Sequence, residues 1–117
     1  MAETGDYGGE CVAYAANYFG KRFGVLKASQ IWKADSVTQL SGPESGSCAC
    51  WSGGSGGYGH VGVVEEWDSS SETMRYSDSN YDYPNKLVIV RDDITEKDMK
   101  ALFGRSYKFQ GYVKFKD

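Results

Sequence analysis

The stretch His60-Val61-Gly62-Val63-Val64-Glu65-Glu66-Trp67 constrains the fold more than any other part of the chain. Valines and a closing aromatic favour a pleated backbone. The glycine-rich run Ser52–Gly59 precedes it, and Asp68–Ser71, all Asp and Ser, follows as a turn. Glu72–Asn80 alternates and is expected to pair back as a hairpin. Lys86–Arg91, with Leu87, Val88, Ile89 and Val90, reads as a further strand. In the last strand, Lys108–Phe115, Phe109, Gly111, Val113 and Phe115 are expected on one face, and Gln110, Tyr112 and Lys114 on the other. Ser47–Trp51 is a short strand candidate.

Helical spacing lies mostly ahead of these strands. Val12, Ala15, Ala16 and Phe19 recur at i, i+3, i+4 and i+7, which predicts a helix over 11–19 ended by Gly20. A second pattern over 25–34 carries Ala28, Ile31 and Trp32 on one face, with Ser29 as its expected N-cap. Residues 35–47, holding Gly42, Pro43 and Gly46, read as loop. A third helix is expected over 94–103, capped by Thr95 with Asp98 three residues on. Helices first and antiparallel strands after them make an α+β domain. At 117 residues the chain suits one domain.

Fifteen glycines imply many turns rather than a helix bundle. A formal charge of −3 and the lack of any Lys/Arg run argue against nucleic acid as a partner. The longest apolar stretches are a few residues, too short to span a membrane. Met1–Asp6 is polar and carries no signal peptide. Cys48 and Cys50, two apart in a strand, point the same way, and with Cys11 make an odd count, so no structural disulfide is expected. One histidine and a lone C-x-C are too little for zinc. The Ser52–Gly59 run lacks the Lys-Ser/Thr and helix of a phosphate loop and reads as a tight loop.

The chemistry-bearing residues are few. Cys11 falls in the first turn of the first helix, after Gly8 and Gly9, where unpaired N–H groups and the helix dipole favour a thiolate. His60, the one histidine, opens the best strand. A turn centred near 69–70 sets it opposite 78–80, on the face of Met74, Tyr76, Asp78 and Asn80. An imidazole, a carboxylate and an amide on one hairpin are the supporting half of a nucleophile–base–orienter set. With N–H groups at a helix start for an oxyanion, the parts suit acyl transfer from an amide.

These residues resemble the CHAP domain, the cysteine- and histidine-dependent amidohydrolases and peptidases of the papain-like superfamily. Gly9-Glu10-Cys11-Val12-Ala13-Tyr14-Ala15 resembles the family's Gly-Gln/Glu-Cys-x-x-Tyr-Ala, and Trp32-Lys33-Ala34-Asp35 its second-helix Trp. Ala49-Cys50-Trp51 resembles Ala-Val-Trp. Tyr58–Glu65 resembles Gly-His-Val-Ala-x-Val-Glu. Ser77-Asp78-Ser79-Asn80-Tyr81 resembles Ser-Glu-x-Asn-Trp/Tyr, with Asp78 in place of Glu, and Gln110-Gly111-Tyr112-Val113 the closing strand.

The resemblance implies a papain-like domain over 1–117, a helix bearing Cys11 packed on an antiparallel sheet bearing His60, as a single catalytic domain of a larger protein. It makes Cys11 the nucleophile and His60 the base and then acid. Asp78 becomes the orienting acid and Asn80 the neighbouring amide, either of which is in reach of His60. Glu10 falls at the oxyanion hole, and Trp51, Tyr58, Tyr81 and Tyr83 near the substrate groove, with core packing the favoured role of Trp51. Some relatives bind calcium just before the cysteine. Here Asp6 alone stands there, so no metal or other cofactor is expected.

Residues 91–107 read as a surface connection, with a groove flank as the alternative. The implied substrate is bacterial peptidoglycan, cut within a stem peptide or cross-bridge or between muramic acid and L-alanine, at the cell wall or as a phage lytic enzyme. The expected form is a monomer, with a separate wall-binding domain to supply attraction to an anionic wall. The alternatives are the same chemistry on another amide, as in a toxin plugged by an immunity protein, and a catalytically silent binding module.

Overall fold

The computed structural model describes residues 10–79 and 88–116. Six strands form one sheet in the order β1-β6-β2-β3-β4-β5, every neighbouring pair antiparallel. They are β1 (Val37–Leu40), β2 (Ser47–Gly53), β3 (His60–Asp68), β4 (Thr73–Ser79), β5 (Val88–Thr95) and β6 (Tyr107–Phe115). Helix α1 (Glu10–Phe19) comes first and packs on β3 and β4, and α2 (Glu96–Lys100) joins β5 to β6. The α+β class expected from the sequence is the one observed.

The apolar stripe of α1 is what seats it. Val12, Ala15 and Ala16 are fully buried, and two alanines let the helix backbone approach the sheet closely. Gly20 ends α1 at φ +64°, with its N–H on the Asn17 carbonyl and the Lys21 N–H on the Ala16 carbonyl. That pairing stops the helix where the glycine stands.

Four expectations are corrected. Residues 28–33 form a 3₁₀ helix rather than an α-helix, preceded by Lys27, not Ser29. The Ser29 N–H is drawn to the Tyr58 carbonyl at 2.9 Å, and the Gln30 side chain accepts the Lys27 N–H at 3.1 Å. The expected 35–47 loop holds β1, a short strand in which only Val37 is buried. Its pairing with β6 decides the outcome there, since local pattern is weak. Helix α2 is shorter than 94–103 because Ile94 and Thr95 are spent on pairing with β4, while Thr95 Oγ1 does cap it, accepting the Asp98 N–H at 3.2 Å. Phe109 does not share a face with Val113. A bulge between Cys50 and Trp51 shifts β6, and Phe109 packs with Tyr112 instead.

Two cores result, one on each face of the sheet. The α1 side holds Cys11, Val12, Ala15, Ala16, Ile31, Cys48, Cys50, Val61, Val63 and Val113. The other side holds Trp51, Val64, Met74, Tyr76, Met99 and Tyr112, with Phe103, Tyr107 and Phe109 half-buried against them. All three cysteines are free, and burial pushes the Cys48 and Cys50 thiols upward.

Candidate active site

Turn chemistry puts His60 at the start of β3. Gly59 adopts φ +78°, and a Cβ there would strike the Trp51 carbonyl and the Ser29 backbone. Its N–H reaches the Gly53 carbonyl at 2.9 Å, which closes the glycine-rich loop and sets His60 directly opposite Trp51. Only glycine meets both demands.

The β3–β4 hairpin brings in the carboxylate, by way of a bulge. Near the turn, Asp68 pairs with Thr73 and Glu66 with Arg75. That register, unbroken, would put His60 on the face of Thr73, Arg75 and Ser77. Glu65 instead stands unpaired, and beyond it Val64 meets Tyr76 and Val63 meets Ser77. The extra residue exchanges the face, so His60, Gly62 and Val64 lie with Tyr76 and Asp78. Arg75 Nε binds Glu65 Oε1 at 3.0 Å across this bulge.

His60 Nε2 and Asp78 Oδ2 lie 2.9 Å apart, with 1% and 2% of the two residues exposed. A carboxylate only accepts, so Nε2 carries the proton. Cys11 is the other group that acts on this imidazole and raises it. Burial alone would lower the imidazole, but the hydrogen bonds to Asp78 and Cys11 and their charges outweigh it and raise His60 from 6.5 to about 9. The arrangement favours an imidazolium once the ring has taken up a proton. Such a set can take a proton from a thiol and later return it to a leaving amine.

The sequence reading missed the groups behind this pair. The Tyr76 hydroxyl donates to Asp78 Oδ2 at 2.7 Å, and Arg91 lies 4.0 Å from Asp78 Oδ1. Period-two alternation had placed Tyr76 on the Asp78 face, and that was the only available signal. Phe103 packs on the imidazole with ring centroids 4.2 Å apart, and Tyr107 stands at 6.5 Å. The segment 91–107 is therefore no mere surface connection, because its far end covers His60. Trp51 is fully buried, 5.7 Å from His60 and edge-on to Phe103 and Phe109, so it is core and not groove surface.

Tyr58 packs half-buried against the α1-side core. The Glu10 side chain and residues Asp6, Asn80, Tyr81 and Tyr83 lie outside the described residues. An open depression of about 930 Å³, lined by Arg22, Phe23, Leu26, Gln30 and Lys33 among others, includes none of Cys11, His60 and Asp78.

No protein of curated function matches the chain. The family model of the CHAP domain matches residues 2–80, a span that contains Cys11, His60 and Asp78 and ends before β5, α2 and β6. The CHAP domain is a family of cysteine- and histidine-dependent amidohydrolases and peptidases, often acting on peptidoglycan. The match covers more than half of the chain, and the chain belongs to the CHAP domain family.

Proposed function

We propose that this chain is a peptidoglycan hydrolase that cleaves an amide bond with Cys11 as nucleophile, in a papain-like arrangement. The observation that carries the reading is the buried His60–Asp78 pair at 2.9 Å, with Cys11 the other group that raises the same imidazole. His60 takes the thiol proton and becomes imidazolium. The Cys11 sulfur attacks the amide carbonyl carbon, and the carbonyl electrons move onto oxygen. N–H groups in the first turn of α1 receive that oxyanion. As the C–N bond breaks, His60 gives its proton to the departing nitrogen and a thioester remains. Water, deprotonated by His60, then attacks the thioester and releases the acid and the thiol.

Asp78 holds the proton on Nε2 throughout, which leaves Nδ1 as the nitrogen that takes the thiol proton. Cys11 and His60 are each 1% exposed, so a substrate carbonyl reaches the sulfur only after neighbouring side chains yield. A net charge of −3 gives no general attraction to an anionic wall, which is consistent with a separate wall-binding domain.

The test is digestion of purified peptidoglycan from several bacteria, wild type beside Cys11→Ala, with products read by mass spectrometry. New amino termini or freed stem peptides should appear with wild type. Cys11→Ala should lose about 10⁴-fold or more in rate with its fold kept. Absence of products from every wall would reject the substrate, and equal turnover by the variant would reject the mechanism.

A further inference from the structure

We propose that Tyr76 is a positioning residue for the His60–Asp78 pair, and that Gly62 is the opening that admits it. The inference rests on the reading of that pair as catalytic. One oxygen of Asp78, Oδ2, accepts both the His60 Nε2–H at 2.9 Å and the Tyr76 O–H at 2.7 Å. The other, Oδ1, faces Arg91 at 4.0 Å. The phenol therefore holds the carboxylate on the imidazole side against the pull of the guanidinium. Tyr76 is entirely buried, edge-on to Trp51 at 6.2 Å. Phenylalanine would serve that packing as well. The hydroxyl has its partner in Asp78, and without it a buried polar group would stand unsatisfied.

Gly62 is what makes the path possible. Val64 pairs with Tyr76 and Val63 with Ser77, so the register carried one residue on sets Gly62 across from Asp78. A Cβ built on Gly62 would fall on the Tyr76 hydroxyl and ring. The phenol thus crosses the sheet face over the missing side chain to reach the residue two further along its own strand.

His60 is the one histidine, so its imidazole gives a single resonance set, and the test needs no substrate. Among the described residues, the ionisable groups around the pair are Cys11 on α1, Tyr76 and Asp78 on β4, Arg91 on β5 and Tyr107 on β6. The experiment is an NMR titration of ¹⁵N-histidine-labelled protein, wild type against Tyr76→Phe, each checked for fold by thermal melting. Wild type should titrate at about 9.

Tyr76→Phe, folded, should titrate closer to 6.5, because the Asp78 hydrogen bond that raises the imidazole is loosened. Gly62→Ala, whose Cβ would displace the same hydroxyl, should move the midpoint in the same direction and remains informative if Tyr76→Phe does not fold. A folded Tyr76→Phe with an unmoved midpoint overturns the proposal, as does a folded Gly62→Ala with an unmoved midpoint. A failed peptidoglycan digestion would leave these titrations intact, so the two readings fail separately.

Discussion

The two faces of the sheet are packed differently, and the candidate site draws on both. On the α1 side most of the buried residues are small, such as Cys11, Ala15, Ala16, Val61, Val63 and Val113, and Phe23 and Ile31 are the large ones. On the other side they are large: Trp51, Met74, Tyr76, Met99 and Tyr112, with Phe103 and Phe109 against them. A ten-residue helix lies on the first face, so its own backbone fills the space. The second is roofed by a five-residue helix, and side chains must fill what a longer helix would have. Cys11 comes from the small-residue side and His60 from the aromatic side, and they meet at the start of β3. The small-residue side thus brings the sulfur on a helix start, and the aromatic side gives the imidazole a dry, rigid bed.

The sharpest way to break this division is to remove the charge that the aromatic side holds. Asp78→Asn should cut turnover about 10²–10⁴-fold, since an amide can present either a donor or an acceptor to Nε2 and no longer fixes the tautomer. The check is kcat against KM on released peptides, with kcat carrying the loss. Next in size is the aromatic cover itself. Phe103→Ala should cost about 2–3 kcal/mol by urea unfolding, from lost burial and an incompletely closed cavity beside His60. Burial is the influence that lowers His60, so the same variant should titrate above wild type. A midpoint at or below the wild-type value would mean that Phe103 does not keep water from the imidazole.

The pH dependence of stability tests the same environment. His60 stands at about 9 folded against an ordinary 6.5. A raised group contributes its stability in full below 6.5 and loses it as pH climbs through 9. Urea midpoints followed from about pH 6 to about pH 10 should therefore fall over the upper part of that range. Asp78→Asn should flatten the fall, because the strongest of the raising interactions is gone.

Which parts of this were legible in the sequence follows from the range of the forces involved. α1 was readable because its stripe and Gly20 act within a few residues. His60 and Asp78 were readable as sharing a face, with Asn80 as an equal partner, because alternation narrows the choice to every second residue. The bulge at Glu65 was not readable. Nothing in Val64-Glu65-Glu66 marks which residue will drop out of the ladder, and the Arg75–Glu65 pair that holds it is a cross-strand contact. β1 was missed because an edge strand with one buried residue has almost no pattern of its own. The cover over His60 was missed for the same reason at longer range. Phe103 reaches the site only because α2 is tied down by buried Met99, by Trp51 Nε1–H on the Lys100 carbonyl and by Tyr112 on Glu96.

The smallest expected effect sharpens the comparison most locally. Tyr76, Ser77 and Asp78 alternate across the sheet. Tyr76 and Asp78 make their tie on the aromatic side, and Ser77 makes one on the α1 side, where its hydroxyl meets the Tyr14 hydroxyl at 2.8 Å. Ser77 is fully buried and Tyr14 only half so, which lets a freed Tyr14 hydroxyl turn to water. Ser77→Ala should then cost only about 1 kcal/mol in a urea melt. It should leave the His60 titration where it was, since nothing on the aromatic face has changed, yet slow turnover several-fold by loosening the helix that carries Cys11. A shifted His60 midpoint in Ser77→Ala would show that the two faces are coupled through β4, and that the division between a helix that presents sulfur and a bed that holds imidazole is not one the strand respects.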